Sequence, residues 1–235
     1  MEKLVYMLWR HPQSDDGEFN RAMLNDVAPT LGSLGARATA VNLVDEAVAH
    51  TAGVRMTHFD PPMDGMVSFW LDNSDDRGPL EEVLARVCSR LAAYLVVESV
   101  PLLNTAKAAP PGQRMPGINV VACIEKPAAM DYQAWLDHWL NEHKRVAIET
   151  QSVFGYVRNV VVRRLSPDGP AWDGIVEETF PAQAVTDPML WYDAGGSKEK
   201  MQRNLARMLE SVGAFLEVER VESNPMSQYL IGPGF

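Results

Sequence analysis

The constraint that most limits what this chain can fold into is that its pattern occurs twice. Lys3-Leu4-Val5-Tyr6-Met7-Leu8-Trp9-Arg10 aligns with Asn119-Val120-Val121-Ala122-Cys123-Ile124-Glu125-Lys126. The same ungapped alignment sets Phe19 on Trp135, Leu24 on Leu140, Asn25 on Asn141 and Asp26 on Glu142. Further along, Pro61-Pro62-Met63-Asp64-Gly65-Met66-Val67 matches Pro170-Ala171-Trp172-Asp173-Gly174-Ile175-Val176. Collinear matches of this kind point to an internal duplication.

Each half reads in one order of elements. In the first, Leu4 to Trp9 is an apolar run suited to a buried strand, and Ser14 to Leu31 has helical spacing, capped by Ser14 or Asp15 and loosened near its end by Pro29. Ala36 to Val44 and Met66 to Leu71 read as strands, Leu80 to Leu91 as a helix with Val83, Leu84, Val87 and Leu91 on one side, and Tyr94 to Val100 as a strand. The second half repeats this: strand 118–125, helix 132–150, strands 155–165 and 174–180, helix 198–212 with Met201, Leu205, Met208, Leu209 and Val212 as its face, and a last strand at 228–231. Strand–helix–strand–strand–helix–strand is the ferredoxin-like order. The expected fold class is therefore α+β, with two ferredoxin-like repeats packed sheet to sheet as an intramolecular α/β barrel. Residues 1–103 form the first repeat, the Ala-, Pro- and Gly-rich stretch 104–116 is a linker, and 117–235 form the second repeat.

The sharpest chemical feature lies in the helix of the second half, YQAWLDHWLNEHKRVAIET, behind the N-cap Asp131. Tyr132, Trp135, Leu136, Trp139, Leu140, His143, Val146 and Ala147 share one face. His143 is thus a titratable ring among tryptophans, a candidate acid or base whose burial favours the neutral form. A core histidine bonded to a carbonyl is the plainer alternative. His138 stands about 140° round an α-helix from His143 and reads as solvated, which argues against a paired metal site on this helix. His50 and His58 lack carboxylates at ligand spacing, so no metal is expected. Gly195-Gly196-Ser197-Lys198 is too short for a phosphate loop and reads as a helix cap.

Composition narrows the partners. Net charge is −10, from 21 Lys+Arg against 31 Asp+Glu, and no basic cluster exceeds Arg163-Arg164, so neither nucleic acid nor a membrane is an expected partner. Cys88 and Cys123 lack ligand spacing and read as buried free thiols. The short apolar run at the N-terminus is no signal peptide, and the expectation is a cytoplasmic protein.

Trp135-Leu136-Asp137-His138-Trp139-Leu140-Asn141-Glu142-His143, Phe154-Gly155-Tyr156-Val157 and Trp172-Asp173-Gly174-Ile175-Val176-Glu177 together resemble the EthD family of the dimeric α/β-barrel superfamily, duplicated in tandem across nearly the whole chain. The first half keeps only the outline: Val27 stands where the motif has histidine and Met23 where it has tryptophan, which implies one working site rather than two. Related barrels include cofactor-free monooxygenases of polyketide phenols, lactone isomerases and haem-using enzymes. The resemblance therefore implies a small-molecule enzyme of catabolism or secondary metabolism. What carries over is the fold and a pocket between helices and sheet; the reading built on them is cofactor-independent oxygenase or isomerase chemistry on an aromatic, quinone-like or lactone substrate, with His143 as acid or base and Trp135, Trp139, Asn141 and Tyr156 contacting substrate. Haem held by His143 is a minor alternative by analogy. A non-catalytic barrel that binds a small hydrophobic metabolite is the main one, and a homodimer is left open.

Overall fold

The computed structural model describes residues 1–105 and 107–232; residue 106, inside the expected linker, and residues 233–235, at the end of the span given to the second repeat, lie outside them. The first half contains β1 (Glu2–Arg10), a helix α1 (16–33), β2 (Arg37–Leu43), β3 (Gly65–Leu71), α2 (Gly78–Ala85) and β4 (Cys88–Leu102). The second contains β5 (Ile118–Ile124), α3 (132–150), β6 (Gly155–Arg164), β7 (Gly174–Phe180), a short α4 (Pro188–Trp191), α5 (Lys198–Gly213) and β8 (Glu222–Ile231).

The strands close into one barrel in the order β1-β3-β2-β8-β5-β7-β6-β4, every neighbour antiparallel. Each half supplies a curved four-stranded sheet, and the two join by backbone hydrogen bonds at β2–β8 and β4–β6. The sheets therefore face each other across a lumen and also share their edges. Closure explains why the strands are apolar without alternation. Leu4, Tyr6 and Leu8 of β1 pack outward beneath the helices, whereas Val5, Met7 and Trp9 point into the lumen, so Leu4 to Trp9 are all buried.

The repeated Asp-Gly has one physical role in both halves. The Asp64 amide donates to the Leu8 carbonyl and the Asp173 amide to that of Ile124, each at 2.9 Å. The carboxylates in turn accept from the amides of Arg10 (2.8 Å), the last residue of β1, and Lys126 (2.7 Å), two residues past β5. The glycines allow close approach: a Cβ on Gly65 would lie 2.7 Å from the Asn42 carbonyl oxygen, and one on Gly174 2.5 Å from the Trp139 indole.

Both long helices deviate from α geometry at the same aligned place. A π-turn occupies Met23–Val27 in α1 and His138–His143 in α3. In α1 the Ala28 amide reaches back to the Met23 carbonyl, which carries the helix past Pro29 to Ser33 instead of loosening it there. Asp15 closes a capping box with Glu18, and Asp131 caps α3 by accepting from the Ala134 amide at 3.0 Å.

Two expectations need correction. The helix assigned to Leu80–Leu91 ends at Ala85, because Cys88 and Leu91 pair with Arg10 and Leu8 of β1; ladder bonds to an existing strand outweigh local helical spacing. On α5 the buried face is Asn204, Met208 and Ser211, while Leu209 is 59% exposed, because the side turned to α3 carries the polar contacts described below.

Gly174→Ala should displace Trp139 and cost about 1–3 kcal/mol, the usual penalty of overpacking. Gly32→Ala, where the added Cβ meets nothing within 4 Å, should stabilise by about 0.4–1 kcal/mol. Denaturant unfolding of both variants checks the pair.

Candidate functional site

The register of the two sheets shows why one half holds a cavity. Leu4 pairs with Phe69 and Tyr6 with Val67 in the first half; Val120 pairs with Glu178 and Ala122 with Val176 in the second. In the first half the rings of Tyr6 and Phe69 stack at 5.4 Å and fill the space beneath α1 with Met23 and Val27. At the matching positions the second half has Ala122, Glu178, Trp139 and His143. Removing two aromatic rings leaves a cavity of about 200 Å³, lined by Ala122, Trp139, His143, Tyr156, Glu178 and Phe215 among others. An apolar cavity of about 150 Å³ suffices for benzene, so a mono- or bicyclic ring is the right scale.

His143 reaches this cavity through the π-turn. The wider turn brings residues five apart onto one face, so His138 is not the solvated residue expected on an ideal α-helix. Both imidazoles pack against Phe215, at 5.2 Å for His138 and 4.8 Å for His143. Both also bind Ser211 of α5: His138 Nε2 lies 3.0 Å from its carbonyl oxygen, and His143 Nδ1 lies 3.0 Å from its hydroxyl. Burial, reinforced by the neighbouring His138, pulls the His143 pKa down to about 4, so the ring is neutral at neutral pH.

Glu178 is the functional group that sequence reasoning missed. Its side chain lines the same cavity, and among the described residues it has no hydrogen-bond or ion-pair partner. Burial raises its pKa to about 7. The Tyr156 hydroxyl is likewise buried without a hydrogen-bond partner, with Trp139 and Glu178 as its polar neighbours. The signal was the consecutive Glu177-Glu178 in a strand buried on both faces: with a period of two, one carboxyl enters the lumen and the other the helix side.

The structure brings His143, Trp139 and Tyr156 together at the cavity. Trp135 stands behind Trp139, with ring centroids 5.1 Å apart, and is wholly buried away from it. Asn141 is exposed on the outer side of α3 and does not reach the cavity, because that side carries the solvent-facing residues of the helix. The cavity also has a wall from the other half: Met56 exchanges backbone hydrogen bonds with Ser223 (2.9 and 2.8 Å) and lines it. Among the described residues no group of three His, Cys, Asp or Glu side chains could hold a metal, and no helix is long and apolar enough to cross a membrane.

No family model matches the chain, and no curated protein matches it in sequence. Solved structures do share its architecture over full length. An anthrone oxidase-like protein aligns with TM-score 0.58 at 12% identity, covering 100% of this chain and 94% of its own. A protein described as a monooxygenase from Lactobacillus acidophilus aligns at 0.52 and 8% identity, covering 99% and 96%. One so described from Fusobacterium nucleatum aligns at 0.52 and 8%, covering 98% and 92%. What is shared is the fold. A cavity of about 200 Å³ is also far smaller than a haem macrocycle, so these residues do not fit haem held by His143.

The two perturbed groups give opposite pH dependences. The Glu178 carboxyl is protonated in both states below its ordinary value of 4.5; above it the unfolded chain ionises while the folded one holds its proton to about 7, so stability falls as pH rises through this window. For His143 both states are neutral above 6.5, and stability falls as pH drops from there to about 4. Glu178→Gln should therefore melt above wild type at pH 8, with the gap closing by pH 4. Melting curves across this range test it.

Proposed function

We propose that the protein is a cofactor-independent enzyme acting on a small aromatic, quinone-like or lactone substrate, by proton transfer of the kind that initiates isomerisation or oxygenation. The observation that carries this reading is an unpartnered carboxyl with a pKa of about 7 in an apolar cavity that also holds a neutral imidazole. Proton transfer is most effective when the group's pKa lies near the working pH. Glu178 meets that condition, and it is placed to take a proton from an acidic O–H or C–H of a bound ring. His143, its Nδ1 engaged by Ser211, partners it by holding or relaying the proton at Nε2. The orphan hydroxyl of Tyr156 is available to a substrate oxygen, and Trp139 and Phe215 supply flat walls.

The EthD-like resemblance of 135–143, 154–157 and 172–177 supports this reading, as does the recurrence of the fold in proteins described as anthrone oxidase-like and monooxygenase. The first half, where Tyr6, Phe69, Met23 and Val27 fill the equivalent space, would carry no site.

The test is a thermal-shift series with mono- and bicyclic phenols, quinones and lactones on wild type, His143→Ala and Glu178→Gln, followed by turnover assays on any stabilising compound. A ligand at 100 times its Kd adds about 2.7 kcal/mol to the folded state. The expected result is stabilisation of wild type that both variants lose, and turnover governed by an apparent pKa near 7 that Glu178→Gln abolishes. Equal stabilisation of all three proteins would place the ligand elsewhere; binding without turnover would make the barrel a carrier.

A further inference from the structure

The barrel lumen is divided. At one end Trp9, Phe59 and Trp172 close it edge to face, at 5.1 and 6.0 Å, with the Arg90 guanidinium 4.3 Å from the Trp9 ring centroid. The other end is a chamber of about 340 Å³ in which Lys3, Glu98, Asn119, Glu177 and Gln228 form a polar cluster within a largely apolar lining. We propose that this chamber is a second ligand site, selective for a small amphipathic amine that enters head first. The inference does not depend on His143 or on any reaction at the helix side.

The selectivity follows from which hydrogen-bonding groups are already used. Glu177 is 4% exposed, and one of its oxygens accepts from the amides of Asn42, Asn119 and Gln228 at 3.3 to 3.4 Å, the other from Asn159 at 3.2 Å. Lys3 is equally buried; its ammonium donates to Asn159 Oδ1 at 2.8 Å, pairs with one oxygen of Glu98, and stands 3.7 Å from Glu177. Donors of this network are directed at Glu177 and Glu98 and, within it, at Asn42 Oδ1 and Asn159 Oδ1. Glu98 Oε1 and Gln228 Oε1 make no hydrogen bond among the described residues. Two carboxylates face one ammonium, so the chamber carries an excess negative charge together with free acceptors. A cationic donor satisfies both; a carboxylate would meet repulsion, and a wholly apolar molecule would strip water from Glu98 without replacing it.

The mouth is built for an apolar tail. Val100 and Leu103, 43% and 68% exposed, line its rim with Leu230, 40% exposed. The rim is also where the strands depart from regular pairing: β2 is bulged between Arg37 and Ala40, with Ala38 at φ 46°, and the β4–β6 register shifts between Ser99 and Leu102. A non-glycine residue at positive φ is costly, and such strain concentrates where a ligand is clamped.

Calorimetric titration with hexylammonium, with hexanol and hexanoate as length-matched controls, tests the proposal. The expected result is saturable binding of one hexylammonium, at least tenfold weaker binding of hexanol, and none of hexanoate. Glu98→Gln should weaken hexylammonium at least tenfold, and Ala40→Leu, which narrows the chamber and leaves its charges in place, should weaken it at least as much; His143→Ala should leave it unchanged. Absence of saturation, equal binding of hexanol, or affinity that survives both chamber variants would overturn it.

Discussion

The hydrogen-bonded seams at β2–β8 and β4–β6 impose the constraint from which the rest of the molecule follows. Two curved sheets that share both edges have no free edge, and every strand then has one side in the lumen and the other under a helix. Side chains on both sides must be accommodated. Most of the strands answer with apolar residues. Polar groups are gathered into sets: Lys3 with Glu98, Glu177 and the surrounding amides inside the barrel, and His143 with Ser211 between the helices outside it. Glu178 belongs to neither set, and burial alone raises its pKa to about 7.

Duplication makes the asymmetry of the two halves interpretable. Both helices keep the π-turn and both Asp-Gly pairs keep their hydrogen bonds, so these features serve the architecture. Among the differences, those that decide the cavity are side chains beneath the helix. Tyr6 and Phe69 give one half a filled core; Ala122 and Glu178 give the other a void and an unpaired carboxyl. Filling a cavity of this kind ordinarily stabilises, so the void left in only one of two related halves is the feature on which the proposed function rests. The loop bearing Met56 comes from the filled half and walls the open one.

Much of this was legible in the residues. Strand order, barrel formation and the long helix of the second half follow from periodicity and the repeat, because alternate burial on both faces leaves a plain apolar signature. The π-turn was not legible, since five-residue spacing reads as opposite faces on an ideal α-helix, so the packing of His138 on Ser211 and Phe215 beside His143 could not be foreseen; the helical spacing itself does put Asn141 on the outer face, where the structure has it, and only the functional reading made it a substrate contact. The end of α2 was hidden because Val87 to Leu91 suit a helix and a strand equally, and only pairing with β1 decides between them. Glu178 was hidden beside Glu177, where a run of two carboxylates resembles surface.

Everything proposed for the second half requires the helix-side cavity to hold a ligand. The direct measurement is to rebuild the filled half in the open one with Ala122→Tyr and Glu178→Phe, the residues found at Tyr6 and Phe69, and to compare unfolding free energy and ligand response with wild type. A variant that is more stable and no longer shifted by any compound that stabilises wild type is the predicted result. A variant that keeps the ligand response, or whose two rings destabilise the second half, would contradict it.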